Sequence, residues 1–290
     1  ETLRMHSDSV IDERTMREIY LTAFEIAVKE SNPLAVMSSY NKVNGVYASE
    51  DPYLLKHILR EEWGFDGVIV TDWGGSNDRV EAVRASNHME MPTNGGDSDR
   101  EVVAAVRSGK LDEADVDRLV DDYLKVLFKT QLPENPQPFN EENHHVFARK
   151  VARESIVLLK NDNALLPLKK DANVAVIGDF ADTARYQGFG SSVVNPTKIE
   201  NPLEQLKKAR LNVDSSRGYE RFGRPNDELL ADAVMKAKGA DIVLLFIGLD
   251  EMSEMEACDR THMRVNQNQV DVLDAVVKVN PNIVAVFCGG

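Results

Sequence analysis

Six consecutive apolar residues, Ile242-Val243-Leu244-Leu245-Phe246-Ile247, stand between Asp241 and Gly248. A strand this uniform has no polar face to offer water, so it needs cover on both sides. That requirement is met by a parallel sheet with helices on each face, and it commits this half of the chain to an α/β fold. The flanking segments agree. Val174–Gly178 reads as a buried strand ending in glycine, with further strands at Leu211–Val213 and Asn282–Cys288. Helical patterns at Pro202–Ala209, Glu228–Lys238 and Asn268–Val279 lie between them. Such alternation means parallel strands joined by right-handed crossovers.

The first half has the same alternation. Ile11–Glu30 reads as an amphipathic helix through Ile19, Tyr20, Phe24, Ile26 and Ala27, ended by Asn32-Pro33. Leu34–Ser39 follows as a buried strand, then the turn-forming loop Tyr40–Gly45. Asp51-Pro52 opens a helix whose apolar face is Leu54, Leu55, Ile58 and Leu59. After the strand Val68-Ile69-Val70 come a helix near Ser76–Arg84, a short strand Asn87–Met91, and helices to Ser108 and over Leu111–Thr130. Three strands precede Thr130, whereas a closed barrel needs eight. The segment is therefore either an open sheet or the back half of a (β/α)8 barrel.

Three prolines within Pro133–Pro138 cannot continue a helix and form a semi-rigid spacer. Beyond it, Glu141–Leu159 reads as a helix and Asn161–Leu168 as a turn into a short apolar strand. The expected organisation is a barrel part over 1–132, a proline-rich linker over 133–146 and an α/β domain over 147–290.

The formal charge of −14 argues against nucleic acid and anionic membrane surfaces, and suits a neutral substrate. No apolar run approaches the roughly 20 residues that span a bilayer. Cys258 and Cys288 form no disulfide framework and no metal spacing, and are expected to be buried thiols. With no visible export signal after Glu1, a cytoplasmic location is expected.

Two places carry chemistry. At the exit of the Val68–Val70 strand, Asp72 stands next to the indole of Trp73, before Gly74-Gly75. Reactive groups of parallel α/β folds gather at such C-terminal strand ends. A carboxylate beside a flat ring suits sugar chemistry, although Asp72 could equally cap the helix near Ser76. The loop Leu249–Arg260 holds Asp250, Glu251, Glu254, Glu256 and Asp259 against one base, Arg260. Crowded carboxylates raise one another's pKa and can keep one protonated as a general acid. Pairing of Asp259 with Arg260 would hold this loop. Gly188-Phe189-Gly190-Ser191-Ser192 lacks the lysine of a P-loop, and His144-His145 lacks a third metal ligand.

Together, Met37-Ser38-Ser39-Tyr40-Asn41 with Asn44-Gly45, Gly64-Phe65-Asp66-Gly67 through Thr71-Asp72-Trp73, and Ser253–Glu256 with Asp259-Arg260 resemble bacterial β-glucosidases of glycoside hydrolase family 3. Val157–Asn161 with Leu165–Leu168 is similar to that family's lead into its second domain, and Gly190-Ser191-Ser192 to a loop further on. The resemblance implies a barrel followed by an α/β sandwich and a retaining, exo-acting glycosidase. In it Asp72 is the nucleophile and Glu256 the acid/base, with Trp73, Tyr40, Met37 and Ser191 contacting the sugar. No metal or organic cofactor is implied. The implied partner is a β-glucoside or oligosaccharide, and an open barrel edge would favour self-association.

Ala257 replaces the glycine usual after the acid/base, which keeps Glu254 and Glu251 as alternatives for that role. The family's Lys-His segment and an early sugar-binding aspartate precede the region matched here, and the chain is expected to stop inside the second domain. A β-xylosidase and a non-catalytic carbohydrate- or partner-binding fragment are the other readings.

Overall fold

The computed structural model describes residues 2–289, which divide into two units, Leu3–Gln137 and 138–289 together with Thr2. In the first unit, short β1 (Asp8–Ser9) pairs in parallel with β3 (Lys42–Val43), which turns back through Asn44-Gly45 into β4 (Val46–Tyr47). The functional framework is the parallel pair β2 (Ala35–Met37) and β5 (Val68–Val70), in the register Val36↔Ile69 and Met37↔Val70. Ile69 is fully buried and packs with Val28, Leu55, Leu59, Phe65 and Ala85. Ahead of the helix Tyr53–Glu62, the Asp51 side chain accepts from the Tyr53 amide at 2.8 Å.

The first helix runs as consecutive segments Glu13–Thr15, Met16–Leu21 and Thr22–Ser31, capped by Asp12 and closed by Asn32 in the left-handed region. Its expected apolar face does not bury. Ile19, Tyr20, Phe24 and Ile26 are all more than half exposed, and only Met16 and Val28 reach the interior. A two-stranded sheet is too narrow to cover a helical stripe of that width.

Asn87–Met91, expected as a strand, makes a single bridge, Val70↔Met89. The guanidinium of Arg79 takes the carbonyls of Asn87 and His88, at 3.0 and 2.8 Å, in place of a ladder partner. Asp78 caps the helix Arg79–Arg84 by accepting from the amides of Val80 and Glu81. Asp97–Arg107 and Glu113–Lys129 complete the helices of this unit.

The second unit holds β6 (Asn173–Ile177), β7 (Asn212–Ser216), β8 (Ile242–Gly248) and β9 (Ile283–Cys288), all parallel in the order β7-β6-β8-β9. Every residue of β8 is buried, as its composition requires. Helices Pro202–Lys208, Asp227–Lys238 and Gln267–Val277 supply Leu203, Ala233, Ala237, Val272 and Val276 to the core. At the end of β8 the buried Gln269 side chain accepts from the Gly248 amide at 2.8 Å and donates to its carbonyl at 3.0 Å. The backbone of the departing loop is thus held at its root.

Three expectations are corrected here. The helix Glu141–Ser155 stops four residues before Leu159, because β-branched Ile156 takes up extended backbone. Leu165–Leu168 forms no strand; Asn161 instead bonds both the amide and the carbonyl of Leu166. Cys258 is exposed, because it sits in the loop after β8 and not in the sheet.

Candidate active site

The exit of β5 delivers Asp72 half-buried at the end of a strand whose Val68 and Ile69 are buried. Its Oδ1 accepts from the Tyr40 hydroxyl at 2.8 Å and from the Trp73 amide at 2.6 Å. Oδ2 accepts no hydrogen bond from the described residues, so both donors orient one oxygen and leave its twin available. Asp72 does not cap the following helix; Asp78 does. That removes the alternative role for this carboxylate.

The surrounding backbone is pinned. Thr71 and Gly74 donate to the carbonyls of Met89 and Met91 at 2.9 and 2.6 Å, and the buried Ser49 hydroxyl donates to Gly75 at 2.7 Å. Tyr40, itself buried, carries the Arg4 guanidinium over its ring at 4.8 Å. Trp73 presents 65% of its surface. Met37 ends β2 beside Val70 and lines a cavity of about 800 Å³ with Phe24, Val36, Leu55 and Trp63, which contains neither Asp72 nor Trp73.

Beneath β5 lies a cluster that no spacing advertised. His88 accepts the Ile69 amide on Nδ1 at 3.0 Å, while Arg60 approaches its Nε2 at 3.1 Å and Asp122 stands at 3.6 Å. Burial, and then the Arg60 charge, push the His88 pKa down to about 4, so the ring is neutral. Arg60 also donates to the Gly67 carbonyl at 2.7 Å, fixing the approach to the strand.

In the second unit, the loop after β8 is tied residue by residue. Asp250 accepts from the amides of Met252 and Ser253 and from the Asn266 side chain. Arg221, buried between two acids, pairs with Asp179 and grips Glu251 through Nε and Nη2 at 2.9 and 2.6 Å. Those bonds hold the Glu251 carboxyl below its ordinary range. Glu254 pairs with Arg185 at 2.6 Å and with Arg260 at 3.2 Å, so the Arg260 expected to clasp Asp259 reaches Glu254.

Glu256 comes next to the Phe189–Ser191 segment through the bridge Phe189↔Met255. Its amide donates to Phe189 at 3.2 Å, and its Oε2 accepts from the Ser191 amide at 2.6 Å and from the Ser191 hydroxyl. Ser191 therefore faces a carboxylate here. Gly190 lies at φ 113°, and a Cβ added there would run into the Glu256 side chain. Ala257 adopts φ 68°, a conformation natural to glycine.

The structure thus joins Asp72 with Tyr40 and Trp73 in one unit, and Glu256 with Ser191 in the other. Arg185 and Arg221 escaped sequence reasoning because isolated arginines in loops carry no periodic signal. Among the described residues no cluster of three His, Cys, Asp or Glu could hold a metal, and no helix is long and apolar enough to cross a membrane.

Residues 5–126 match the Glycosyl hydrolase family 3 N terminal domain, and residues 156–290 match the Glycosyl hydrolase family 3 C-terminal domain. The chain is 45% identical to the thermostable beta-glucosidase B of Acetivibrio thermocellus, over all of its own length and 39% of that protein. It is 39% identical to the exo-alpha-(1->6)-L-arabinopyranosidase of Bifidobacterium longum, over all of this chain and 40% of that one. The crystal structure of the Bifidobacterium adolescentis GH3 beta-glucosidase superposes with a TM-score of 0.92 at 38% identity, covering 99% of this chain and 42% of that one. The chain spans about two fifths of the length of the curated relatives it matches. Its first unit is part of a (β/α) barrel and its second is a parallel-sheet α/β sandwich domain.

Proposed function

Because the chain belongs to glycosyl hydrolase family 3, we propose that it carries both catalytic carboxylates of a retaining, exo-acting β-glucosidase. The observation that carries this reading is the state of Asp72. Two donors converge on Oδ1, and Oδ2 remains to attack an anomeric carbon. Trp73 offers an exposed ring beside it for a pyranose face.

In the first displacement Asp72 Oδ2 forms a bond to the anomeric carbon while the glycosidic bond breaks, and Glu256 gives its proton to the departing oxygen. In the second, Glu256 takes a proton from water, the water oxygen bonds to the anomeric carbon, and Asp72 is released. This mechanism requires the two carboxyls about 5–5.5 Å apart. Glu256 takes the acid role because it occupies the position that the resemblance marks for it, and Glu251 and Glu254 are each ion-paired with arginine.

The test is turnover by the full chain on aryl β-glucoside, β-xyloside and α-L-arabinopyranoside. Preference for the glucoside, with loss of turnover in Asp72→Asn, is expected. Turnover unchanged by that substitution overturns the reading, and preference for a pentoside changes the sugar.

A further inference from the structure

The loop that carries Glu256 runs from the end of β8 to Asn266, and loops of that length hold a geometry only where they are tied. Three ties join it to the segment Arg185–Ser191. Two of them are modest: one backbone bond to Phe189, and the bonds from exposed Ser191. The third is the ion pair of Arg185 with Glu254, in which both side chains are largely buried, at 13% and 16% exposure. A charge-assisted bond withdrawn from water constrains direction far more than an exposed contact does. Glu254 stands two residues before Glu256, with only Met255 between them, and Met255 itself bridges to Phe189. Arg185 and Ser191 thus lie along one segment, and Glu254 and Glu256 along its partner, so that moving the first tie shifts the second.

Building on the acid/base reading of Glu256, we propose that Arg185 is a positioning residue that aims Glu256 at the leaving-group oxygen, acting through Glu254. Arg260, which approaches the other oxygen of Glu254 at 3.2 Å from within the same loop, cannot replace it. A residue of the loop moves with the loop, whereas Arg185 anchors it to the segment beyond β6. The consequence is specific. Misaiming Glu256 also slows the water attack of the second displacement, but kcat/KM reports the first displacement, where only departures that need a proton are slowed.

The experiment compares Arg185→Gln, Arg185→Lys and Glu256→Ala in the full chain. One substrate is a dinitrophenyl β-glucoside, whose leaving group departs unprotonated; the other is an alkyl β-glucoside, whose leaving group does not. Trapping of the nucleophile by a 2-deoxy-2-fluoroglucoside counts competent sites, so misfolded protein is removed from every rate. Arg185→Gln is expected to lose roughly 10–100-fold in kcat/KM on the alkyl substrate, the scale of a displaced catalytic group. On the dinitrophenyl substrate it stays within about threefold of the parent, and Arg185→Lys lies between on the alkyl substrate. Equal losses on both substrates, or no loss on the alkyl one, overturn the proposal while the function reading stands. If Glu256→Ala itself loses equally on both, the acid assignment fails and this inference fails with it.

Discussion

Replacing Ala257 by glycine removes a side chain and is expected to stabilise the protein. At φ 68° the Ala257 Cβ crowds the neighbouring carbonyl, which costs an L-residue roughly 1–2 kcal/mol relative to right-handed backbone. Glycine carries no such cost, but it gives the unfolded chain about 0.4–1 kcal/mol more conformational freedom to lose. The difference is a net gain of roughly 0.5–1 kcal/mol, which in a protein of this size raises the thermal midpoint by about 1–3 °C. Calorimetry of the full chain measures this, with Ala104→Gly as the control. Ala104 is exposed within the helix Asp97–Arg107, where the same chemical change costs about 1 kcal/mol. Ala164, at φ 49°, should behave like Ala257. Opposite signs at the loop and helix sites are the expected result. Destabilisation by Ala257→Gly equal to that of Ala104→Gly would refute the left-handed conformation and the account of this loop that depends on it.

Stability should also fall on mild acidification through His88. Its folded pKa, about 4, lies below the ordinary 6.5, so its contribution is complete above 6.5 and is lost as pH drops towards 4. Between about pH 7.5 and about pH 5 this amounts to roughly 2 kcal/mol in urea unfolding. His88→Asn, which can still accept the Ile69 amide, should flatten that difference; an unchanged slope would exclude His88 as its source. Gly190→Ala should lower turnover at least about tenfold while Asp72 still traps a fluoroglucoside, because the added methyl displaces Glu256. Retained turnover would show that the Phe189–Ser191 segment yields freely.

The run Ile242–Ile247 and the strand Val68–Val70 announced a parallel α/β fold, because an unbroken apolar stretch admits almost no other environment. The position of Asp72 at a strand exit was legible for the same reason. Its chemistry was not, since a carboxylate before a helix reads equally as a cap; only the tertiary structure gave capping to Asp78 and turned Tyr40, 32 residues away, onto Asp72. The acid loop was visible as composition, yet nothing in its spacing separates Glu251, Glu254 and Glu256. Arg221 and Arg185 arrive from distant segments and claim the first two. The helix Thr22–Ser31 shows the opposite limit: its apolar period was clear, but Phe24 and Ile26 stay exposed because burial depends on a partner surface that one segment cannot specify. Local pattern decides which backbone forms, through sterics and solvation acting over a few residues. Which charge meets which is decided only when chain segments far apart in sequence come to share a few ångströms of space.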